Sequence, residues 1–509
     1  MNPELGSATR YSDYSKDVTG WFLGLTGAQL TVIVLGGLPL LAAINARDWW
    51  LFLGYLPAWV SLAAVVAIPI GGRSAAHWFS DLALFAVGGI MGWTKWQSNA
   101  AAGIARDLSQ ADLPGVLAGV RTHDGPPFGQ LLTRPAIVQD HARRTWAAVA
   151  RVVHPGIGLA EQHDRDRMAA GLAELQEIAA RTQLIDMIAL QVRTVPDDGA
   201  ERDAWVSSHT RAGAHPLPLR VNALLTSVLT PAAVRSEAFV TVVVREDTIS
   251  RAAKESGGGV DGRARVLYGV MGEVAGRLLG AMGCTEVSWL DSAALAVAIR
   301  TGFAPGDRAQ LKSAELAARV APSIAVGVPM AAAGPTRANT EIRHYAHDAW
   351  CSVTDTILLP DQGAIVGALA PVFVPTTPGE RRCVTVFFQA LPQGKADRIV
   401  GREETAAATG NEMKSRLGFR IRARQRRATS RVVGQDEKLA AGRALVRPAA
   451  AATVTVPSTW PVAEYGRRLE ASIRAAGFTP LRLDLAQDAG FAAAAIPLGI
   501  GLPRRRGRQ

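Results

Sequence analysis

Cysteine is scarce in this chain: Cys284, Cys351 and Cys383 are the only three in 509 residues. So few thiols, so far apart, exclude a disulfide framework and suit a reducing compartment. Gly-Lys occurs once, at Gly394-Lys395, with Gln389 where a phosphate-binding loop needs its first glycine and Ala396 where it needs a hydroxyl. Backbone amides that cradle phosphate and a lysine that reaches it therefore do not come together, and an ATP motor of that type is excluded. No Gly-x-Ser-x-Gly nucleophile elbow occurs either. No signal-peptide pattern is present: the first residues are polar and of mixed charge, with no Ala-x-Ala site behind a short apolar core.

Charge is missing from two stretches. Residues 28–46 carry none, and Trp49 to Gly72 carry none. Each approaches the roughly 20 apolar residues that cross a hydrocarbon core. Arg47 and Asp48 are the only charges between them, so the expectation is a two-helix transmembrane hairpin over residues 28–72. Pro39, Pro57 and Pro69 are compatible with membrane helices. Aromatic rings favour the water interface, which makes Trp49, Trp50 and Trp59 expected interface anchors. Arg73 to Trp96 is apolar but interrupted by His77, Asp81 and Lys95. A buried acid is costly in lipid, so residues 73–110 are expected as an interfacial helix and linker rather than a third span, with Trp78, Trp93 and Trp96 as further anchors. Arg10 and Lys16 on one flank and Arg73, Lys95 and Arg106 on the other outnumber the single Arg47 of the turn. Both termini, and the body, are then cytoplasmic at the cell (inner) membrane, with a cytoplasmic arm at 1–27.

The formal charge is +11 with a pI near 10.0. A cationic body is drawn towards an anionic leaflet. Residues 111–502 are expected to form an α+β body of two or more small sandwich subdomains, with a sub-boundary near 320–340, and 503–509 a basic disordered tail. The clearest elements are strands over Thr145–Val153, Leu184–Val195 and Ala238–Arg245, helices over Arg165–Arg181 and Arg263–Met282, a strand at Ala452–Val456 and a helix at Pro461–Ala476.

The candidate chemistry is thin. Gly257, Gly259 and Gly262 satisfy Gly-x-Gly-x-x-Gly, but polar residues separate them from the nearest strand, which a dinucleotide loop does not allow. His344, His347 and Cys351 have ligand-like spacing without a fourth partner. Asp164 and Asp166 alternate with Arg165 and Arg167, as in a solvated first turn of a helix. No catalytic, cofactor or metal site is assigned. Arg416, Arg420, Arg422, Arg424, Arg426, Arg427 and Arg431 form a basic run without an acid, the candidate surface for an acidic partner, lipid or nucleic-acid phosphate. Phe419 is the one aromatic within it, so single-strand stacking is poorly supported.

Beyond the apolar pair come Leu113-Pro114-Gly115-Val116 and Tyr345-x-His347-Asp348. Glu437-x-Leu439-Ala440-x-Gly442-x-Ala444 precedes Val454-Thr455-Val456, and Ile496-Pro497-Leu498-Gly499-x-Gly501-Leu502 closes the chain. In this order they resemble an actinobacterial family of conjugation-type (type IV) secretion membrane proteins. Those join a PrgI-like membrane hairpin to a body similar to the N-terminal domain of the secretion ATPase, without its motor domain. Leu359-Pro360-Asp361 departs from the family's Trp-Pro-Arg. The resemblance implies a non-enzymatic scaffold without cofactors, oligomeric in its assembly and docking a separate hexameric ATPase. The alternatives are an accessory membrane subunit of a type VII secretion system, or a membrane-anchored enzyme such as a glycosyltransferase.

Overall fold

The computed structural model describes residues 10–11, 27–67, 69–70, 73–104, 107–158, 160–196, 199–211, 213–232, 234–319, 321, 323–324, 326–360, 364–365, 367–375, 377–401, 434, 437, 439–440 and 444–502. The chain divides into two compact units. The smaller comprises Asp13–Trp93 and Pro392–Leu445; the larger comprises Met1–Ser12, Thr94–Leu391 and Val446–Gln509.

In the smaller unit, α1 (Gly27–Asn45) and α2 (Trp49–Ala67) pack against each other. Trp59 donates its indole N–H to the Ile33 carbonyl at 3.0 Å, and Gln29 donates to the Val66 carbonyl at 2.8 Å. A short ribbon of β2 (Pro69–Ile70) and β3 (Arg73–Ser74) leads into α3 (Ala75–Ile90). Among the described helices, Trp49–Ala67 alone has the length and apolarity to cross a membrane. The apolar stretch Thr31–Asn45 of α1 is shorter, and so is Asp81–Ile90 of α3. At 1.5 Å per residue such stretches fall short of a hydrocarbon core of roughly 30 Å. The two-span hairpin expected over 28–72 is thus reduced to one helix of spanning length.

The larger unit is a mixed α+β body built on a single 13-stranded antiparallel sheet. Its first half has β5 (Val120–Asp124), β6 (Ala136–Asp140), β7 (Thr145–Val153), α4 (Gln162–Arg181), β8 (Ile185–Pro196), α5 (Ala200–His209), α6 (Pro216–Ala232), β9 (Val234–Arg245), α7 (Glu246–Glu255), α8 (Gly259–Leu279), β10 (Glu286–Trp289), α9 (Ser292–Phe303) and α10 (Arg308–Ala318). Its second half has β11 (Arg337–Thr340), β12 (Tyr345–His347), β13 (Trp350–Leu358), α11 (Ala370–Phe373), β15 (Arg381–Ala390), β16 (Val446–Pro457), α12 (Val462–Ala475), β17 (Thr479–Arg482) and α13 (Gln487–Ala495). The strand β4 (Lys95–Gln97) extends the sheet beyond β11, and a separate ribbon pairs β1 (Arg10–Tyr11) with β14 (Ala364–Ile365).

The halves are two copies of one motif. Outward from the central β8–β15 pair the strands run β8, β9, β7, β6, β5 on one side and β15, β16, β13, β12, β11 on the other. In each half the third strand also carries a short partner, β10 on β7 and β17 on β13. Three pairs of backbone bonds match position for position. His141 N–H to Gly119 O (3.1 Å) corresponds to Asp348 N–H to Arg337 O (3.0 Å). Glu246 N–H to Arg144 O (3.0 Å) corresponds to Ser458 N–H to Ala349 O (2.8 Å). Leu290 N–H to Val149 O (2.9 Å) corresponds to Leu483 N–H to Thr354 O (3.1 Å). The matching registers place Gln191 and Thr385, which face each other across β8 and β15, on the pseudo-twofold axis. The small sandwich subdomains expected from the sequence are therefore fused edge to edge. Full-length pairing of β8 with β15 leaves neither half a free inner edge, which an isolated half would expose.

Residues 240–244 of β9 and 453–456 of β16 are unbroken β-branched runs because both faces of the sheet are covered there. Val242 packs with Leu175, Val270 and Val274 under α4 and α8, while Val243 packs with Phe303, Ile496 and Leu498 on the opposite face. In the second half Val454 and Val456 pack under α12 with Leu469 and Ile473. Gly499 closes α13 onto the sheet at φ +74°; a Cβ there would stand 2.7 Å from Val243 Cγ2, so only glycine fits without displacement.

Candidate functional site

Chemistry-bearing side chains gather along the β8–β15 seam and beside α12. At the axis, Gln191 Nε2 and Thr385 Oγ1 both donate to the Ala494 carbonyl at 2.7 Å, and Cys383 Sγ joins them at 2.8 Å. Burial pushes the Cys383 thiol up, so it is a protonated donor rather than a nucleophile. Flanking the axis, Arg193 donates to the Ala298 carbonyl (2.8 Å) and pairs with Glu237 (2.9 Å), while its guanidinium lies 4.6 Å from the Phe239 ring centre. Burial pushes Glu237 up, but Arg193, Arg308 and Arg151 outweigh it and hold the carboxyl below its ordinary value. Arg381 donates to the Thr301 carbonyl at 2.7 Å. Its burial, with Arg193 nearby, lowers its pKa to about 10. Arg382 and Glu380 are fully buried and paired at 2.6 Å, and Arg382 also donates to Ser472 at 2.9 Å.

His347 bonds Ser352 through Nε2 at 2.8 Å, and Ser352 bonds Thr455 at 2.8 Å. This His–Ser contact superficially resembles an activated nucleophile. Both side chains are buried, however, and the imidazole is walled in by Phe491 (4.5 Å), Tyr345 (5.3 Å) and Phe303 (5.8 Å). Burial, then Arg381, lowers the His347 pKa to about 3, so the ring is neutral at physiological pH. It is a structural linker between β12 and β13, closed to substrate.

One open feature among the described residues is a cleft of about 300 Å³ beside α12, lined by Arg343, His344, Val353, Arg467, Glu470 and Arg482 among others. Glu470 holds Arg482 at 2.5 Å and Arg474 at 2.8 Å. Arg343 Nε lies 3.8 Å from Asp484. Arg467 has no ion-pair partner among the described residues. Beneath the cleft, Asp355 faces Arg482 across β13 and β17, and both carboxylate oxygens lack a hydrogen-bond partner among the described residues. The matching positions of the first half, Ala150 opposite Trp289, are apolar and lie in or against its packed core. The duplication therefore puts an apolar pair in one half where the other has a buried acid beneath a charged cleft. An exposed, unpaired arginine there is placed to take an acidic side chain.

The residues singled out from the sequence scatter. Arg416 to Arg427 and Arg431 lie outside the described residues. Trp49 and Trp50 stand exposed at the start of α2, and Trp93 is exposed after α3. Trp59 turns towards α1, Trp78 lies half-buried in α3, and Trp96 packs from β4 against the main core of the body. His344 lines the cleft, whereas His347 and Cys351 are buried on neighbouring strands. Among the described residues no group of three or more His, Cys, Asp or Glu could hold a metal ion. Gly257, Gly258 and Gly259 have positive φ and form the turn from α7 into α8, so they follow a helix rather than a strand. Asp164 sits in the first turn of α4 paired with Arg167 at 2.7 Å. The charged cleft and the pseudo-twofold seam went unread because the residues that form them are far apart in the chain; the one faint signal is Thr241-Val242-Val243-Val244 recurring as Thr453-Val454-Thr455-Val456. No protein-family model matches this chain, and no curated protein does.

Proposed function

We propose that the protein is a non-enzymatic, membrane-anchored scaffold: a structural subunit of a secretion or conjugative transfer machine that holds a separate ATPase at the membrane. The observation that carries the anchor is uncovered apolar surface. On α1 Leu35, Leu38 and Leu41, on α2 Leu51, Leu53 and Val60, and on α3 Phe79, Leu84 and Ile90 are all exposed. Large contiguous apolar patches are rare on water-facing proteins, and this many exposed apolar side chains on three neighbouring segments call for lipid or a partner. We further propose that α1, although its apolar stretch is shorter, crosses beside α2; two spans would then place the body and both termini on the cytoplasmic side, where the excess of flanking positive charge belongs.

The scaffold reading draws support from how the body spends its polar groups. The seam arginines are engaged by Glu237, Glu380 and main-chain carbonyls, and His347 is sealed. Buried charges held this way set structure rather than turn over a substrate. The cleft at Arg343 and Arg467 and the basic run Arg416–Arg431 then serve as docking surfaces for acidic groups of neighbouring subunits. Alkaline carbonate extraction of native membranes, followed by protease treatment of intact right-side-out vesicles, tests the anchor. The expected outcome is a chain that stays in the pellet and resists the protease. Release by carbonate, or digestion of the body from outside, contradicts the reading.

A further inference from the structure

The helix α6 leaves its apolar stripe uncovered. Leu217, Val221, Leu224 and Val228 recur at intervals of four, three and four residues and, with Leu225, form one stripe about 100° wide. All five are between 47% and 67% exposed. The opposite side carries the half-buried Asn222 and Thr226. Arg202 of α5 donates to the Asn222 carbonyl and side-chain oxygen at 3.2 Å, and Thr226 Oγ1 donates to the Asn222 carbonyl at 3.0 Å. A helix on a water-facing body turns its apolar stripe inward. Here Asn222 and Thr226 turn towards the body, Leu219 beside them is 43% exposed, and the five-residue stripe faces out with nothing apolar covering it among the described residues.

The charge around the stripe says what would cover it. From Ala204 to Ser236 there is no acid, while Arg211, Arg220, Arg235, His209 and His215 all fall in this stretch. Arg235 is taken by Glu201, but Arg211 and Arg220 have no ion-pair partner among the described residues. Arg220 flanks the stripe on the helix surface. Trp205, 62% exposed, stacks on His209 at 4.3 Å at the end of α5. An apolar stripe with basic flanks, no acid and an exposed tryptophan is the pattern of a helix lying in a headgroup layer. A second copy of the chain fits worse, because pairing α6 with itself brings arginines together with no acid to offset them.

We propose that α6, with α5 as its support, lies on an anionic lipid surface and makes a second, peripheral attachment of the body. This rests on the proposed location at a membrane but not on the secretion role or on the number of spans. Each attachment has its own readout. The full chain carrying Leu224→Cys is labelled with an environment-sensitive fluorophore; the three native cysteines are buried and react slowly. Ala223→Cys, exposed on the far side of α6, is the control. Both are reconstituted with phosphatidylcholine alone or with added phosphatidylglycerol, using acyl chains with and without bromine as quencher. Flotation after alkali reports the anchor, whereas the probe reads lipid contact whether the chain is inserted or added to preformed vesicles. The expected result is roughly twofold or stronger quenching at position 224 in the anionic vesicles, less in the neutral ones and none at 223. A probe at 224 that stays water-exposed in anionic vesicles overturns the proposal. So does a probe already shielded in detergent, with a doubled particle mass, since a second copy then covers the stripe.

Discussion

Asp355 supplies the sharpest energetic prediction. It is fully buried, and both of its oxygens lack a hydrogen-bond partner among the described residues. Arg482 offers little relief: its Nε is 3.9 Å from Oδ1, beyond hydrogen-bond reach, and its guanidinium is held by Glu470 at 2.5 Å. Burial therefore wins over the nearby cation and raises the carboxyl from 3.8 to about 7. The folded state holds the proton more tightly than the unfolded chain does. Its stabilising contribution is complete below the ordinary carboxylate pKa, declines as pH rises and is lost once pH passes about 7. Three pH units at about 1.4 kcal/mol each amount to about 4 kcal/mol. The variant Asp355→Asn removes the titration and keeps the shape. Denaturant unfolding of the detergent-solubilised full chain, followed by tryptophan fluorescence, compares the two proteins at about pH 5 and about pH 8.5. At the lower pH, which already lies above 3.8, the variant is expected to lead by about 2 kcal/mol; at the higher one it leads by about 4 kcal/mol. Parallel pH profiles, or a wild type that gains on the variant as pH rises, refute the argument.

Other perturbations have equally definite outcomes. Phe491 is fully buried against Phe303 at 5.3 Å, so Phe491→Ala is expected to cost about 3–5 kcal/mol of unfolding free energy, read by the same denaturation. Glu380→Gln strands the buried Arg382 charge and is expected to cost about 3–5 kcal/mol, whereas the double replacement Glu380→Leu with Arg382→Met recovers most of it in a double-mutant cycle. Gly499→Ala forces a Cβ to 2.7 Å from Val243 Cγ2 at a positive φ and is expected to lower the melting temperature by several degrees. Serine in place of the arginines from Arg416 to Arg431 is expected to weaken co-purification of partner subunits while leaving the chain in the membrane pellet.

Strands with β-branched runs were legible. Thr145–Val153 is β7 residue for residue, Ala238–Arg245 falls inside β9, and Pro461–Ala476 brackets α12. Such segments are buried on one face or both, and burial is what hydrophobic patterning encodes. The residue types of Leu113–Arg121 predict a strand, but the segment forms a short 3-10 turn at Gly115–Leu117, with β5 beginning only at Val120, because Pro114 and the positive φ of Gly115 break extended pairing. Pro216 and Pro218 would break a helix interior, yet here they open α6, since the first helical turn has no use for their missing N–H groups. The helix α13 has no polar face at all; its alanines are buried, so no helical period marks it. The duplication escaped because it lives in pairing. Strands β8 and β15 meet across almost 200 residues of sequence, and matched positions such as Ala150 and Asp355 differ in character. That same divergence gives one half an apolar pair and the other a buried acid beneath a charged cleft, which no periodicity announces.

The scaffold account is tested most directly by what the protein holds. The tagged full chain is purified from its native cells in mild detergent, and the co-purifying proteins are identified by mass spectrometry. The account predicts a hexameric secretion ATPase among them, lost in part when the arginines from Arg416 to Arg431 become serine. An intact bait that brings no component of a transfer machine, under conditions that preserve other membrane complexes from the same cells, contradicts it.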